Sequence, residues 1–214
     1  MNKRVGRFHV LTDLRFQQRF SHAELARFAS EGGADTIQFR QKSGLVRDML
    51  VEARQAASVC REQGVPFLVN DRLDVALACR ADGIHLGQQD FPVRDARRIL
   101  GPEAIIGGTA TTVEEALAMQ EAGVDYVGFG PVFPTTSKDN PAPVKGLANL
   151  AQVCAAVRIP VLAIAGISVE RIGPVIRAGA HGVAVMTAVT TAENPARAAR
   201  AFREELDAVI AVSP

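Results

Sequence analysis

The chain is poor in the features that would assign it to several common classes. Only three cysteines occur, Cys60, Cys79 and Cys154. None forms a CxxC, and each lies in a segment that reads as helical, so neither a disulfide framework nor a zinc framework is expected. Free thiols of this kind suit a reducing compartment, and the expected location is cytoplasmic. The formal net charge is +1, which signals neither a nucleic-acid surface nor an anionic membrane surface. No apolar run approaches the roughly 20 residues that would span a bilayer. The opening "MNKRVGRFHV" turns polar again within a few residues, so a secretory signal is not expected either. Lysine is scarce as well, occurring only at 3, 42, 138 and 145, while arginine carries nearly all the other positive charge. No composition break marks a second domain.

What is present is an alternation. Short β-type runs stand at 8–13, 36–41, 66–71, 83–88, 104–110, 126–130, 160–166 and 182–188. Amphipathic stretches such as "VRDMLVEARQAASVCREQG" and "VEEALAMQEAG" separate them, the second with apolar residues at 113, 116, 117, 119 and 122. Gly33, Gly64, Gly101, Gly123 and Gly179 stand where helices should close. The segments "EGGADTIQF", "CRADGIHL", "EAGVDYVGF" and "RAGAHGVAV" echo one another ahead of every second run. Eight strand–helix units in 214 residues, at 48% hydrophobic content, predict an α/β fold, a single-domain (β/α)8 TIM barrel. A doubly wound open sheet would want a glycine-rich turn after its first strand, and "LTDLRF" is not one.

In such a barrel the chemistry lies at the C-terminal ends of the strands. Run two ends in "QFRQK", where alternation turns Gln38, Arg40 and Lys42 to one face, a set suited to an anion. Run three ends in Asn70-Asp71, and Asp90 follows run four. Neighbouring strands lie about 5 Å apart, so these two carboxylates can share one hard cation such as Mg²⁺. The competing expectations are an N-cap for Asp71 and a turn for Asp90. Asp74 and Asp82 fit helix-start pairing and turn formation, and His85 a hydrogen-bonded place inside the barrel. Thr112 with Glu115 reads as a capping box, which leaves Thr109 to face the mouth. Segment 130–146, with four prolines and three consecutive hydroxyl residues, reads as an ordered binding loop carrying Lys138. Gly166 and Thr187 end runs seven and eight, where barrels of this type hold phosphates.

Taken together, "QFRQK", "NDRLDVALACRADGIHLGQQD", "GFGPVFPTTSK" and the "AGI…GVAVMTA" ending resemble the thiamine-phosphate synthase family over nearly the whole chain. The resemblance implies condensation of 4-amino-2-methyl-5-(diphosphooxymethyl)pyrimidine with a thiazole phosphate, giving thiamine phosphate and diphosphate. It implies Mg²⁺ on Asp71 and Asp90. Arg40, Lys42, Asn70, Thr109 and Lys138 would then bind the leaving diphosphate, with Gln38 toward the pyrimidine and Phe39 and Gln41 counted among the substrate-binding residues. Thr135, Thr136, Ser137, Gly166, Met186 and Thr187 would hold the thiazole phosphate. Small-molecule substrates are thus the expected partners, with no nucleic acid and no membrane, and the family resemblance permits a homo-oligomer. A dissociative reaction needs placement and charge neutralisation rather than a nucleophile, which matches a chain without a Ser/His or Cys/His pair at the mouth.

The chain departs from the family pattern at Thr109, where serine is frequent, at Gln41, where glutamate is frequent, and at Ala165, in a loop that tends to carry more glycine. A related thiazole tautomerase is the nearest rival, but that branch carries a histidine where Thr111 stands. A non-catalytic phosphate-binding barrel would leave the carboxylates and cations idle. A phosphosugar epimerase or isomerase would not explain Asp71 and Asp90.

Overall fold

The computed structural model describes residues 5–137 and 143–212. Eight parallel strands close into a barrel in chain order, β1 to β8, with β8 returning to β1. They are β1 (Phe8–Thr12), β2 (Thr36–Phe39), β3 (Phe67–Asn70), β4 (Gly83–Leu86), β5 (Ile105–Ala110), β6 (Tyr126–Phe129), β7 (Val161–Ile164) and β8 (Gly182–Val185). Each lies within one of the eight runs read from the sequence. The helices around them are α1 (His22–Glu31), α2 (Val46–Gln63), α3 (Leu73–Cys79), α4 (Val93–Leu100), α5 (Val113–Ala122), α6 (Gly146–Ala156), α7 (Ile172–Arg177), the short α8 (Thr187–Thr190) and α9 (Pro195–Ala211). No helix among the described residues is long and apolar enough to cross a membrane.

Period-two alternation divides the strand residues between two cores. Outward-facing Phe8, Val10, Ile37, Phe39, Phe67, Val69, Ile84 and Ile106 pack against the helices in the main apolar layer. Each such side chain contributes about 1.5–3 kcal/mol when fully buried. Inside the ring a smaller cluster of Val5, Leu68, Tyr126 and Leu162, with Ile105 against it, fills the barrel. Tyr126, the chain's one tyrosine, lies here beside His9, ring centroids 5.2 Å apart and edge to face.

The sequence echo has a structural cause. Asp35, Asp82 and Asp125 each stand just before an even-numbered strand and accept a backbone N–H from the preceding odd one: Phe8, Phe67 and Ile106, at 2.9, 2.8 and 2.7 Å. The fourth echo carries His181 instead, whose Nε2 lies 3.1 Å from the Val5 carbonyl. This bottom rim is structural, as barrels of this class require. Asp74 pairs with Arg72 at the start of α3, as its position suggested. The five helix-closing glycines all adopt positive φ.

The capping box at α5 is offset by one residue. Thr112 Oγ1 accepts the Glu115 N–H at 3.2 Å, but the Glu115 carboxylate takes the N–H and hydroxyl of Thr111, not the N–H of Thr112.

Two buried histidines make stability depend on pH. Burial first, then the charge of His85, lowers the pKa of His9 to about 3. Burial lowers that of His22 to about 4, against the opposing pull of Asp13. Both are therefore neutral in the fold while the unfolded chain protonates near 6.5, so the unfolded state binds more protons below that pH. Their contribution is complete above pH 6.5 and is lost as pH falls toward 4 and 3. Urea unfolding is expected to show a falling midpoint from pH 6.5 to 5, above the carboxylate range. A flat profile there would refute neutral burial.

Candidate active site

The strand C-termini open onto one cavity of about 940 Å³. Thirteen of the residues singled out from the sequence line it: Gln38, Arg40, Lys42, Asn70, Asp71, Asp90, Thr109, Thr135, Thr136, Ser137, Gly166, Met186 and Thr187. Two do not. Phe39 faces the helices, 1% exposed, against the rings of His22 and Phe67. The side chain of Gln41 turns to the Ser43 carbonyl at 3.1 Å. The same alternation that aims Gln38, Arg40 and Lys42 inward excludes Phe39 and Gln41, so these two are corrected to supports of the strand end. Lys138 lies outside the described residues.

One wall is built by β2, β3 and β4. The Arg40 guanidinium pairs with Asp13 at the end of β1, and both side chains are almost fully buried. Asp13 also accepts the Arg15 N–H at 2.8 Å, so the carboxylate is held from two sides. Lys42 forms an ion pair with Asp71. Asp71 is no N-cap: α3 begins two residues later with Arg72 at the cap position and no side-chain cap. Its φ is +63°, a left-handed conformation, and its N–H donates to the His85 carbonyl at 2.9 Å. A strained carboxylate residue at a strand end is characteristic of a functional site.

Asp90 accepts the Gly87 N–H at 2.6 Å. Burial, followed by a hydrogen bond shared with Asp71, pushes its carboxyl above the usual range. Two carboxylates this close repel, and a divalent cation would relieve them. Among the described residues no group of three or more His, Cys, Asp and Glu side chains could hold a metal. A pair of hard oxygen donors that leaves the rest of the shell to water and substrate oxygens fits Mg²⁺, which keeps several waters. The residues present therefore fit that ion.

The opposite wall comes from β6, β7 and β8. Ser137 Oγ lies 3.1 Å from Thr187 Oγ1, and Thr135 Oγ1 accepts the Ser137 N–H at 3.2 Å. Ala165 and Gly166 have φ of +68° and +67°. A Cβ on Gly166 would stand 2.5 Å from the Pro134 carbonyl oxygen, so only glycine fits there. Ala165 takes a conformation that glycine accepts more readily, at a cost of about 1–2 kcal/mol. Arg171 braces the loop, donating to the Gly166 carbonyl at 2.5 Å and lying over the Phe133 ring at 4.5 Å.

Sequence reasoning missed Asp13, Gln88, Tyr126 and Arg171. Asp13 had a signal, since "FHVLTD" ends on a carboxylate like "PFLVND". The others are set by tertiary contacts. His85 is inside the barrel and hydrogen-bonded as expected, and it also lines the cavity.

Comparison with known proteins is consistent over almost the full length. The profile of the family described as thiamine monophosphate synthase matches residues 9–189. The chain is 58% identical to a thiamine-phosphate synthase of Salinibacter ruber over 208 residues, 97% of this chain and 92% of that protein. It is 48% identical to the thiamine-phosphate synthase of Methanocella arvoryzae, over 90% of this chain and 91% of the relative. Among solved structures, the thiamine phosphate pyrophosphorylase of Pyrococcus furiosus superposes with a TM-score of 0.87 at 39% identity, covering 95% and 96% of the two chains.

Proposed function

The chain belongs to the thiamine monophosphate synthase family, a family of transferases in thiamine biosynthesis, and we propose that its cavity joins a pyrimidine diphosphate to a thiazole phosphate with departure of diphosphate. The observation that carries this assignment of the cavity is its two-walled construction. Arg40, Lys42 and the Asp71/Asp90 pair converge on one side, and Thr135, Ser137, Gly166 and Thr187 on the other. A substrate pair bearing a diphosphate and a monophosphate suits both walls.

Gln38 is 3% exposed, and its Oε1 has no partner among the described residues, which supports a hydrogen bond from an amino group on the pyrimidine. Arg40, pre-aimed by Asp13, and Lys42 neutralise the charge that grows on the leaving oxygens. Thr109 and Asn70 add polar contacts to the same group. Asp71 and Asp90 would hold Mg²⁺, which supplies further charge neutralisation at the diphosphate. The pyrimidine, carrying an electron-releasing amino group, spreads the positive charge left on its methylene, and the thiazole nitrogen captures it. The protein's contribution is placement and a fixed electrostatic field, with no covalent enzyme intermediate.

The test is one assay with purified protein, both substrates and Mg²⁺, following thiamine phosphate and diphosphate together. Equimolar formation of both products, abolished by chelator and restored by Mg²⁺, is expected. Activity unchanged by chelator would remove the metal from the reading. No product from folded protein would sink the proposed reaction, and isomerisation of the thiazole precursor would then be assayed.

A further inference from the structure

Along the cavity floor a line of hydrogen bonds runs across three strands. The hydroxyl of Tyr126 lies 2.9 Å from His85 Nδ1, and His85 Nε2 lies 2.8 Å from Thr109 Oγ1. Among the described residues His85 Nδ1 is the one hydrogen-bond partner of the Tyr126 hydroxyl, whose residue is 1% exposed. Glycines hold the rings in place. A Cβ on Gly107 would come within 2.2 Å of Tyr126 Cζ and 2.5 Å of His85 Nδ1, and one on Gly128 within 3.2 Å of His85 Cε1.

Counting protons gives the line a direction. The buried phenol has one acceptor in reach among the described residues, so its single proton goes to His85 Nδ1. A neutral imidazole that accepts at Nδ1 carries its proton on Nε2. That proton is donated to Thr109 Oγ1, and the Thr109 hydroxyl proton is left to point elsewhere. Thr109 lines the cavity. Burial raises the tyrosine pKa well above its ordinary value, so the phenol keeps its proton throughout. The Thr109 carbonyl is held separately by Gln88 Nε2 at 2.7 Å.

We propose that Tyr126 and His85 form a one-way hydrogen-bond chain that fixes the Thr109 hydroxyl as a donor into the cavity. Resting on the reading that a diphosphate leaves along this wall, Tyr126 and His85 are positioning residues for that departure. They present a proton donor, already oriented, where negative charge develops, and so avoid the cost of reorienting a hydroxyl during the reaction. The opposite His85 tautomer would leave the buried phenol proton without an acceptor and turn the Thr109 oxygen lone pairs toward the leaving group, where they would repel.

The direction can be read without turnover from ring ¹⁵N shifts of histidine-labelled protein, with His85 assigned by comparison with His85→Asn. The expected result is a neutral His85 protonated on Nε2, unchanged when inorganic diphosphate and Mg²⁺ are added, and mixed tautomers in Tyr126→Phe. A wild-type His85 protonated on Nδ1, or on both nitrogens, would overturn the proposal. In turnover, Tyr126→Phe and Thr109→Val should each lower kcat about tenfold, the worth of one oriented hydrogen bond. The double variant should lose no more than either alone, the KM for thiazole phosphate should stay within about twofold, and Thr109→Ser should restore kcat. Losses that multiply in the double variant would mean that the two side chains act separately. A protein inactive as a synthase would leave the nitrogen shifts as a standing test of the chain's direction.

Discussion

Replacing Asp71 by asparagine is expected to lower the rate of thiamine phosphate formation by about 100- to 1,000-fold, the range found when one preorganised electrostatic partner of a leaving group is removed. Asparagine is the informative choice because position 71 has a φ of +63°. Asparagine tolerates that left-handed conformation, whereas alanine would add backbone strain to the loss of charge. The substitution also removes the Lys42 partner and the carboxylate that adds to the upward push of burial on Asp90. Steady-state kinetics across Mg²⁺ concentrations should show that added metal recovers little of the loss. Unchanged thermal unfolding would show that the fold is intact. A loss smaller than about tenfold would remove Asp71 from the metal site.

The second large effect belongs to Arg40 and Asp13. Arg40→Met leaves the Asp13 carboxylate buried without its guanidinium, which should destabilise the protein by about 3–5 kcal/mol, read from urea denaturation. Adding Asp13→Asn removes the stranded charge, so the double variant should recover much of that stability. It should recover no activity, because the cation facing the diphosphate is gone. Recovery of both would assign the pair a structural role only. Failure to recover stability would show that the loss comes from the missing Arg40 packing rather than from the stranded Asp13 charge, since asparagine keeps an oxygen for the Arg15 N–H.

The fold was legible because its evidence is repetitive. Eight runs, eight helical intervals and glycines at the helix ends all agree, and the barrel closes in chain order. The cavity wall was legible wherever a functional residue ends a strand, since alternation alone turns Gln38, Arg40 and Lys42 to one side. Overextending that reading to Phe39 and Gln41 ignored the alternation itself. Arg171, two turns of chain beyond its strand, was not legible, because its role is to reach back to a carbonyl and an aromatic ring. Tyr126 was hidden for a different reason. A tyrosine beginning "YVGFG" looks like ordinary barrel filling, and only the nearby His85 and the missing side chains of Gly107 and Gly128 give its hydroxyl a direction. Thr112 was read correctly as a cap, but the glutamate that completes the motif chose the neighbouring threonine, a difference of one residue that spacing cannot resolve.

The bottom rim has one odd member. Three of its four stitches are carboxylates that tie one strand to the turn before the next. The fourth, at His181, is a histidine reaching forward to the Val5 carbonyl, with Arg7 returning the connection to the His181 carbonyl at 3.0 Å. That is where the ring closes on itself, between the first and last strands. The fold is thus modular in quarters, and the seam is fastened with different hardware from the internal joints. For circular permutation the cost is predictable: joining the present ends and opening the chain elsewhere leaves three carboxylate joints to choose among. A cut through any of them would have to supply a new seam clasp of its own.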